Sequence, residues 1–296
     1  MFESHFGLSA SPFALNPDPA FFFASKGHAR ALAYLKYGVF QREGFIVVTG
    51  EIGSGKTTLV RTLLEGLNPD DVVSAQVRNT QLDCTELLHA ICIAFGVSAG
   101  GPTKTYMLAA LEAFFTGLVA RGKRALLIVD EAQNLGQREI EELRMLSNFQ
   151  FGAHALLQTF LIGQPELRVH LRSPALEQLN QRIIAACHLG PLDARETRAY
   201  IEHRLVHVGW SGRPAFEADT FDLIHAQAGG IPRRINLLCS RVLLAAWLGD
   251  LQVIDRATVE LAADDMHAEA FDRTAEPCST GDIPSIGAPV AQNKAP

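Results

Sequence analysis

The sequence predicts an α/β protein: a five-stranded parallel sheet flanked by helices, followed by a small all-helical domain. Three observations predict it. Five short apolar runs alternate with segments of helical spacing, the pattern of a parallel sheet covered on both faces. A glycine-rich turn joins the first run to its helix. From Asp193 onward only helical spacing continues, until a short apolar run at 251–254.

The first strand is 45–49 (FIVVT), a continuous apolar run of the kind buried on both faces. After the glycines, TTLVRTLLEGL reads as a helix ending near Gly66. A second strand is expected at 72–77, and helices at 85–95 and 105–120. The run 125–129 (ALLIV) is the third strand, and 139–149 the next helix. Residues 156–162 (LLQTFLI) and 183–189 supply the last two strands. The turn Gly190-Pro191-Leu192-Asp193 then opens a second unit with helices at 196–208, 216–228 and 231–248. Asp193 can cap its first helix, with Glu196 three residues on, as in a capping box. The expected division is 1–192 for the core with an N-terminal approach segment, 193–265 for a helical lid, and 266–296 for a disordered tail. The last 22 residues hold 4 of the 14 prolines and no aromatic residue, too little to bury a core.

The turn after the first strand carries the chemistry. Gly50, Glu51, Ile52, Gly53, Ser54, Gly55, Lys56 and Thr57 match G-x-x-x-x-G-K-[ST], with Thr58 following. The match lies between a strand and a helix, as a phosphate-binding loop requires. Glycines let the backbone curl so that successive N–H groups face one anion, and the helix N-terminus adds positive potential. Lys56 can reach the terminal phosphates and the Thr57 hydroxyl can ligate Mg²⁺.

The third strand runs into Asp130 and Glu131, two carboxylates at the mouth of a buried strand, where such sheets bind ligands. Asp130 is expected to hold Mg²⁺ through water, and Glu131 to orient and polarise an attacking water. A water-activating glutamate favours nucleotide hydrolysis over transfer to a small acceptor. No N/T-K-x-D guanine-reading motif is present, which points to ATP.

Composition narrows the rest. With 26 basic and 32 acidic residues the net charge is −6, which argues against a nucleic-acid coat. The five cysteines form no CxxC pair, so a zinc ribbon or redox pair is not indicated. The first residues lack a basic stretch followed by an apolar run, and no apolar run reaches membrane-spanning length. A cytoplasmic protein is expected, brought to the inner face of a membrane by a partner if it works there. His203 and His207, four apart, lack a third ligand in the pattern, and a solvated helix face is expected for them.

The chain resembles AAA+ ATPases of the general secretion pathway protein A (ExeA-like) group, and within it the ATPases associated with exosortase/PEP-CTERM systems. The resemblance rests on GFIVVTGEIGSGKTTLVRTLL, RALLIVDEAQNL, EELRMLSNFQ, LIGQPELR, LRSPALEQLNQRI and GGIPRRINLLC, together with the N-terminal FGLSASPFALNPDPAFFFASKGHARALAYLKYG. It covers residues 1–265 and implies several roles. Gln164, at the end of the fourth strand, would be a polar sensor of the γ-phosphate. Arg182, before the fifth strand, would be an arginine finger reaching a neighbouring subunit's nucleotide. Arg233 in Gly230-Ile231-Pro232-Arg233 would contact the nucleotide from the lid, with Arg234 the rival. Residues 16–23 and 34–38 would lie near the adenine pocket, though a cluster such as Phe21-Phe22-Phe23 is more often simply core. The implied function is an oligomeric ATPase acting on a protein partner in a membrane-associated secretion or polysaccharide system. Two alternatives remain at this stage: an ATP-dependent DNA-binding regulator of the transposition-ATPase type, and a nucleotide-gated scaffold with little turnover.

Overall fold

A computed structural model describes residues 2–78, 80–98, 101, 103–152 and 154–275. Its centre is a parallel sheet of five strands: β1 (Phe45–Gly50), β2 (Val72–Val77), β3 (Arg124–Val129), β4 (Leu157–Gly163) and β5 (Ile183–Leu189), in the order β2-β3-β4-β1-β5. These are the five expected strands, each within one residue at either end. β1 is inside the sheet, in register with β4 (Phe45 opposite Thr159) and β5 (Val48 opposite Cys187). Both β1 and β4 are buried along their whole length, which is why their sequences read as unbroken apolar runs. β5 is an edge strand and its burial is patchy.

Because successive side chains of a strand point to opposite faces, the sheet splits its residues between two cores. Phe45, Val47, Leu127, Val129 and Leu161 face helices α3 (Cys84–Phe95), α4 (Lys104–Ala120) and α5 (Gln137–Leu146). Ile46, Val48, Leu126, Ile128, Phe160 and Ile162 face α1 (Lys26–Gln41) and α2 (Lys56–Glu65). A short α6 (Pro165–Leu171) follows β4. α1 is an element that the sequence pattern did not show. Ser25 caps it by accepting the His28 N–H at 3.2 Å.

The lid comprises α7 (Ala194–His207), α8 (Ala218–Ala228), α9 (Pro232–Leu248) and α10 (Arg256–Ala275), with a two-residue ribbon pairing Ala215–Phe216 to Val253–Ile254. Asp193 and Glu196 form the capping box expected for α7. The lid core, around Ile201, Leu205, Ile224, Ile235, Val242 and Val259, also takes in Phe6, Leu8 and Phe13. The N-terminal segment thus packs first on the lid, not on the sheet it precedes in sequence. Ser9 pins it there, its N–H and hydroxyl both donating to the Val208 carbonyl at 2.9 and 3.1 Å. α10 continues to Ala275, so the tail expected from 266 begins inside a helix; residues 276–296 lie outside the described residues.

Candidate nucleotide-binding site

The C-terminal ends of β1, β3 and β4 lie side by side, and each is followed by polar residues. After β1 the chain curls through Gly53 and Gly55 at φ 83° and 94°, left-handed values that favour glycine. Packing closes the same positions. A Cβ on Gly53 would lie 2.3 Å from Arg233 Cβ, and one on Gly55 would lie 2.9 Å from His28 Nε2. The loop is therefore held between α1 on one side and the lid on the other.

Lys56 opens α2 with its side chain buried, donating Nζ–H to the carbonyls of Gly50 (2.7 Å) and Glu51 (2.9 Å). Burial pushes its ammonium below the usual lysine range, while the charges of Glu131, Asp130, Glu51 and Glu166 pull it up. Phosphate oxygens would give this desolvated cation the anionic partner it lacks. Thr57 and Thr58 line the same cleft.

After β3, burial pushes the Asp130 carboxyl above the usual carboxylate range. Glu131 takes a left-handed conformation at φ 52° and is held at three points. Its N–H donates to Asp130 Oδ1 at 3.0 Å, and its carbonyl accepts from the Thr80 hydroxyl at 2.8 Å. Its carboxylate Oε2 accepts from Gln133 Nε2 at 2.6 Å and Gln164 Nε2 at 3.2 Å. Gln164 directly follows β4, and its side chain reaches the Glu131 carboxylate from there. The Thr57 hydroxyl and Asp130 carboxylate are hard oxygen donors of the kind Mg²⁺ takes. Among the described residues there is no group of three or more His, Cys, Asp or Glu to hold another metal.

The lid meets the loop directly. The Arg233 N–H donates to the Gly53 carbonyl at 3.1 Å, and Arg233 lines the cleft. Arg234 is not among the lining residues. Arg182 does not line the cleft either; it donates to the Ser147 carbonyl (3.3 Å) and hydroxyl (3.0 Å) at the end of α5.

The cleft, a cavity of about 220 Å³, extends from the loop to a second end lined by Leu15, Asn16, Pro17, Phe21, Phe22 and Phe23. Of residues 16–23, all but Pro19 and Ala20 line the cleft; Phe21 and Phe23 also pack on the lid core, and Phe22 on the sheet face under α1 and α2. Residues 34–38 do not line it. Leu35 and Gly38 pack against the sheet, where a Cβ on Gly38 would lie 2.3 Å from Ile46.

Sequence reading missed three groups here. His28 sits under the loop, its Nε2–H donating to the Ser54 carbonyl (2.9 Å) and its Nδ1 accepting from the Ser25 hydroxyl (2.8 Å). That tautomer follows because a carbonyl only accepts. Burial holds its pKa below the ordinary value. Arg204, buried at the second end, donates to the carbonyls of Pro12 (2.7 Å) and Ala14 (3.2 Å) and to the Tyr200 hydroxyl (2.7 Å). Gln133 is the third. Only Gln133 carried a local signal, two residues after Glu131. His207 is exposed and His203 half-buried, their rings set against Phe21 and Phe23 with centroids 4.3 and 5.6 Å apart.

Residues 40–171, which carry the loop, both carboxylates and Gln164, match a family described as AAA domain. The chain is 40% identical over 264 residues to general secretion pathway protein A of Aeromonas hydrophila, covering 89% of this chain and 48% of that protein. It therefore spans about half the length of that relative. Solved structures share the fold at lower identity. The Aeropyrum pernix ORC1 protein in complex with DNA aligns with a TM-score of 0.67 at 17% identity, over 90% of this chain and 73% of that one. The Aeropyrum pernix ORC2 protein, in ADPNP-ADP complexes, gives 0.66 at 19% over 86% and 71%. The Thermotoga maritima RuvB Holliday junction branch migration motor gives 0.55 at 17% over 82% and 70%. At these identities the likeness is one of fold. No helix among the described residues is long and apolar enough to cross a membrane.

Proposed function

We propose that the chain binds ATP with Mg²⁺ in this cleft, hydrolyses it, and converts nucleotide state into a change of lid angle that alters its hold on a protein partner. One observation carries the reading: a single cleft is lined by Lys56, Thr57 and Glu131 from the core and by Arg233 from the lid. The loop amides and Lys56 bind the phosphates. Thr57 and Asp130 hold Mg²⁺, which supplies charge neutralisation at the phosphates when bound. Glu131 accepts the proton of the attacking water, and Gln164 reads the terminal phosphate. Arg233 joins the lid to the nucleotide, ahead of its rival Arg234 because of its place in the cleft. The end lined by residues 16–23 takes the base.

Similarity to a general secretion pathway protein supports a partner in a secretion-type assembly at the inner face of a membrane; the exosortase-linked polysaccharide system is the setting the sequence resemblance favours. Arg182, turned away from its own cleft, is the finger for a neighbour's nucleotide in a homo-oligomer.

The test is ATP turnover by the wild type and by Glu131→Gln. The variant should bind ATP as the wild type does and turn it over at least about tenfold more slowly, because water activation contributes about 10²–10⁴-fold. Undiminished turnover would remove Glu131 from its role. Affinity for duplex DNA that falls steeply with salt, measured on the same preparation, would replace the protein partner with a nucleic acid.

A further inference from the structure

The side chain of Gln133 closes a ring that none of the roles above uses. Its Nε2 donates to Glu131 Oε2 at 2.6 Å and its Oε1 accepts from the Gln164 backbone N–H at 3.0 Å. The Gln164 side chain returns to the same Oε2 at 3.2 Å. The amide's orientation follows from its partners. A backbone N–H can only donate and a carboxylate only accept, so the oxygen must face Gln164 and the nitrogen Glu131. The approach is built into the strand end as well, since a Cβ on Gly163 would lie 2.8 Å from Gln133 Oε1.

We propose that Gln133 is the positioning residue of the water-activating glutamate, fixing the Glu131 carboxylate to the end of β4, where the phosphate-reading Gln164 is carried. In the structure two amides share Oε2. When the Gln164 side chain turns to a terminal phosphate, it leaves the carboxylate, and Gln133 alone keeps Glu131 in place. Its other end grips the Gln164 backbone, so the carboxylate moves with the strand end that senses the phosphate. Thr80, on the Glu131 carbonyl, anchors the backbone but leaves the carboxylate free to swing; Gln133 supplies the missing constraint.

The inference rests on the role proposed for Glu131, and the experiment separates the two. ATP affinity and kcat are measured for the wild type, Gln133→Leu, Glu131→Gln and the double variant. Gln133→Leu should lower kcat by about tenfold or more with ATP affinity within about twofold of wild type. In the Glu131→Gln background it should have little further effect, because residues acting as one unit are not additive. Should Gln133→Leu fail to fold, Gln133→Glu keeps the acceptor for the Gln164 N–H, sets a like charge against Glu131, and should show the same selective loss of kcat. If Glu131→Gln slows turnover while the Gln133 variants keep wild-type kcat, or if the two losses multiply, the positioning role is overturned and that of Glu131 stands. If Glu131→Gln has no effect, the reading beneath it fails first.

Discussion

Lys56 keeps a positive charge in a place that water barely reaches, with two carbonyls as its direct partners. Such an arrangement is tolerable to the folded loop and favourable once phosphate arrives, so its replacement should appear in binding before stability. Lys56→Met should weaken ATP binding by about 10–100-fold, the value of a charge-assisted hydrogen bond of about 1.5–3 kcal/mol, with little loss of stability; titration with a fluorescent ATP analogue checks it. His28 makes the opposite demand. Burial lowers its pKa in the fold below the ordinary histidine value of 6.5, so the unfolded chain takes up its proton first as pH falls. Stability is full above that value and is lost as pH drops through it, levelling only below the lowered folded value. Urea unfolding across this range should show the loss, with a shallower dependence in His28→Asn; an unchanged slope would mean that other groups set it. Of these residues, Lys56 was legible because the loop motif is contiguous. His28, by contrast, reaches Ser54 across 26 positions, and Arg204 reaches Pro12 across 192. No local pattern announces contacts of that range.

Elements became legible to the degree that burial imposed a simple pattern on them. β1 and β4 are covered on both faces and announced themselves as apolar runs. The capping box of α7 is a short-range arrangement and was equally plain. α1 escaped because its outer face carries Tyr34, Tyr37 and Phe40, each well exposed, which blurs the alternation of an amphipathic helix. The turn leading into α9 holds a different kind of information. Gly229 and Gly230 have φ 61° and 69°, but only at Gly230 would a Cβ meet backbone, 2.2 Å from the Leu192 carbonyl. Gly229→Ala should cost about 1 kcal/mol of backbone strain, and Gly230→Ala should cost more, within or beyond about 1–3 kcal/mol, because the connector between core and lid must move too. Equal losses in chemical denaturation would show that this contact carries no weight.

At the scale of the whole molecule, the lid is tied to the core by the Arg233 N–H on the Gly53 carbonyl, by the Lys26 N–H on the Glu196 carboxylate at 2.8 Å, and by the N-terminal segment, which packs on the lid, passes along the cleft and enters α1. A further link is expected between molecules. If Arg182 completes a neighbour's site, turnover per protomer should rise with protein concentration, and Arg182→Ala should flatten that rise while leaving ATP binding intact. A flat, appreciable rate in the wild type would make the site self-sufficient. The position of the N-terminal segment has a further consequence, for the order of assembly. Phe6, Leu8 and Phe13 leave the ribosome long before Leu192 and the helices that form their seat. The sheet and its flanking helices can collapse as they emerge, but these three side chains must wait in water until the lid has been made. Made well before the helices they dock on, they are buried only once those helices exist.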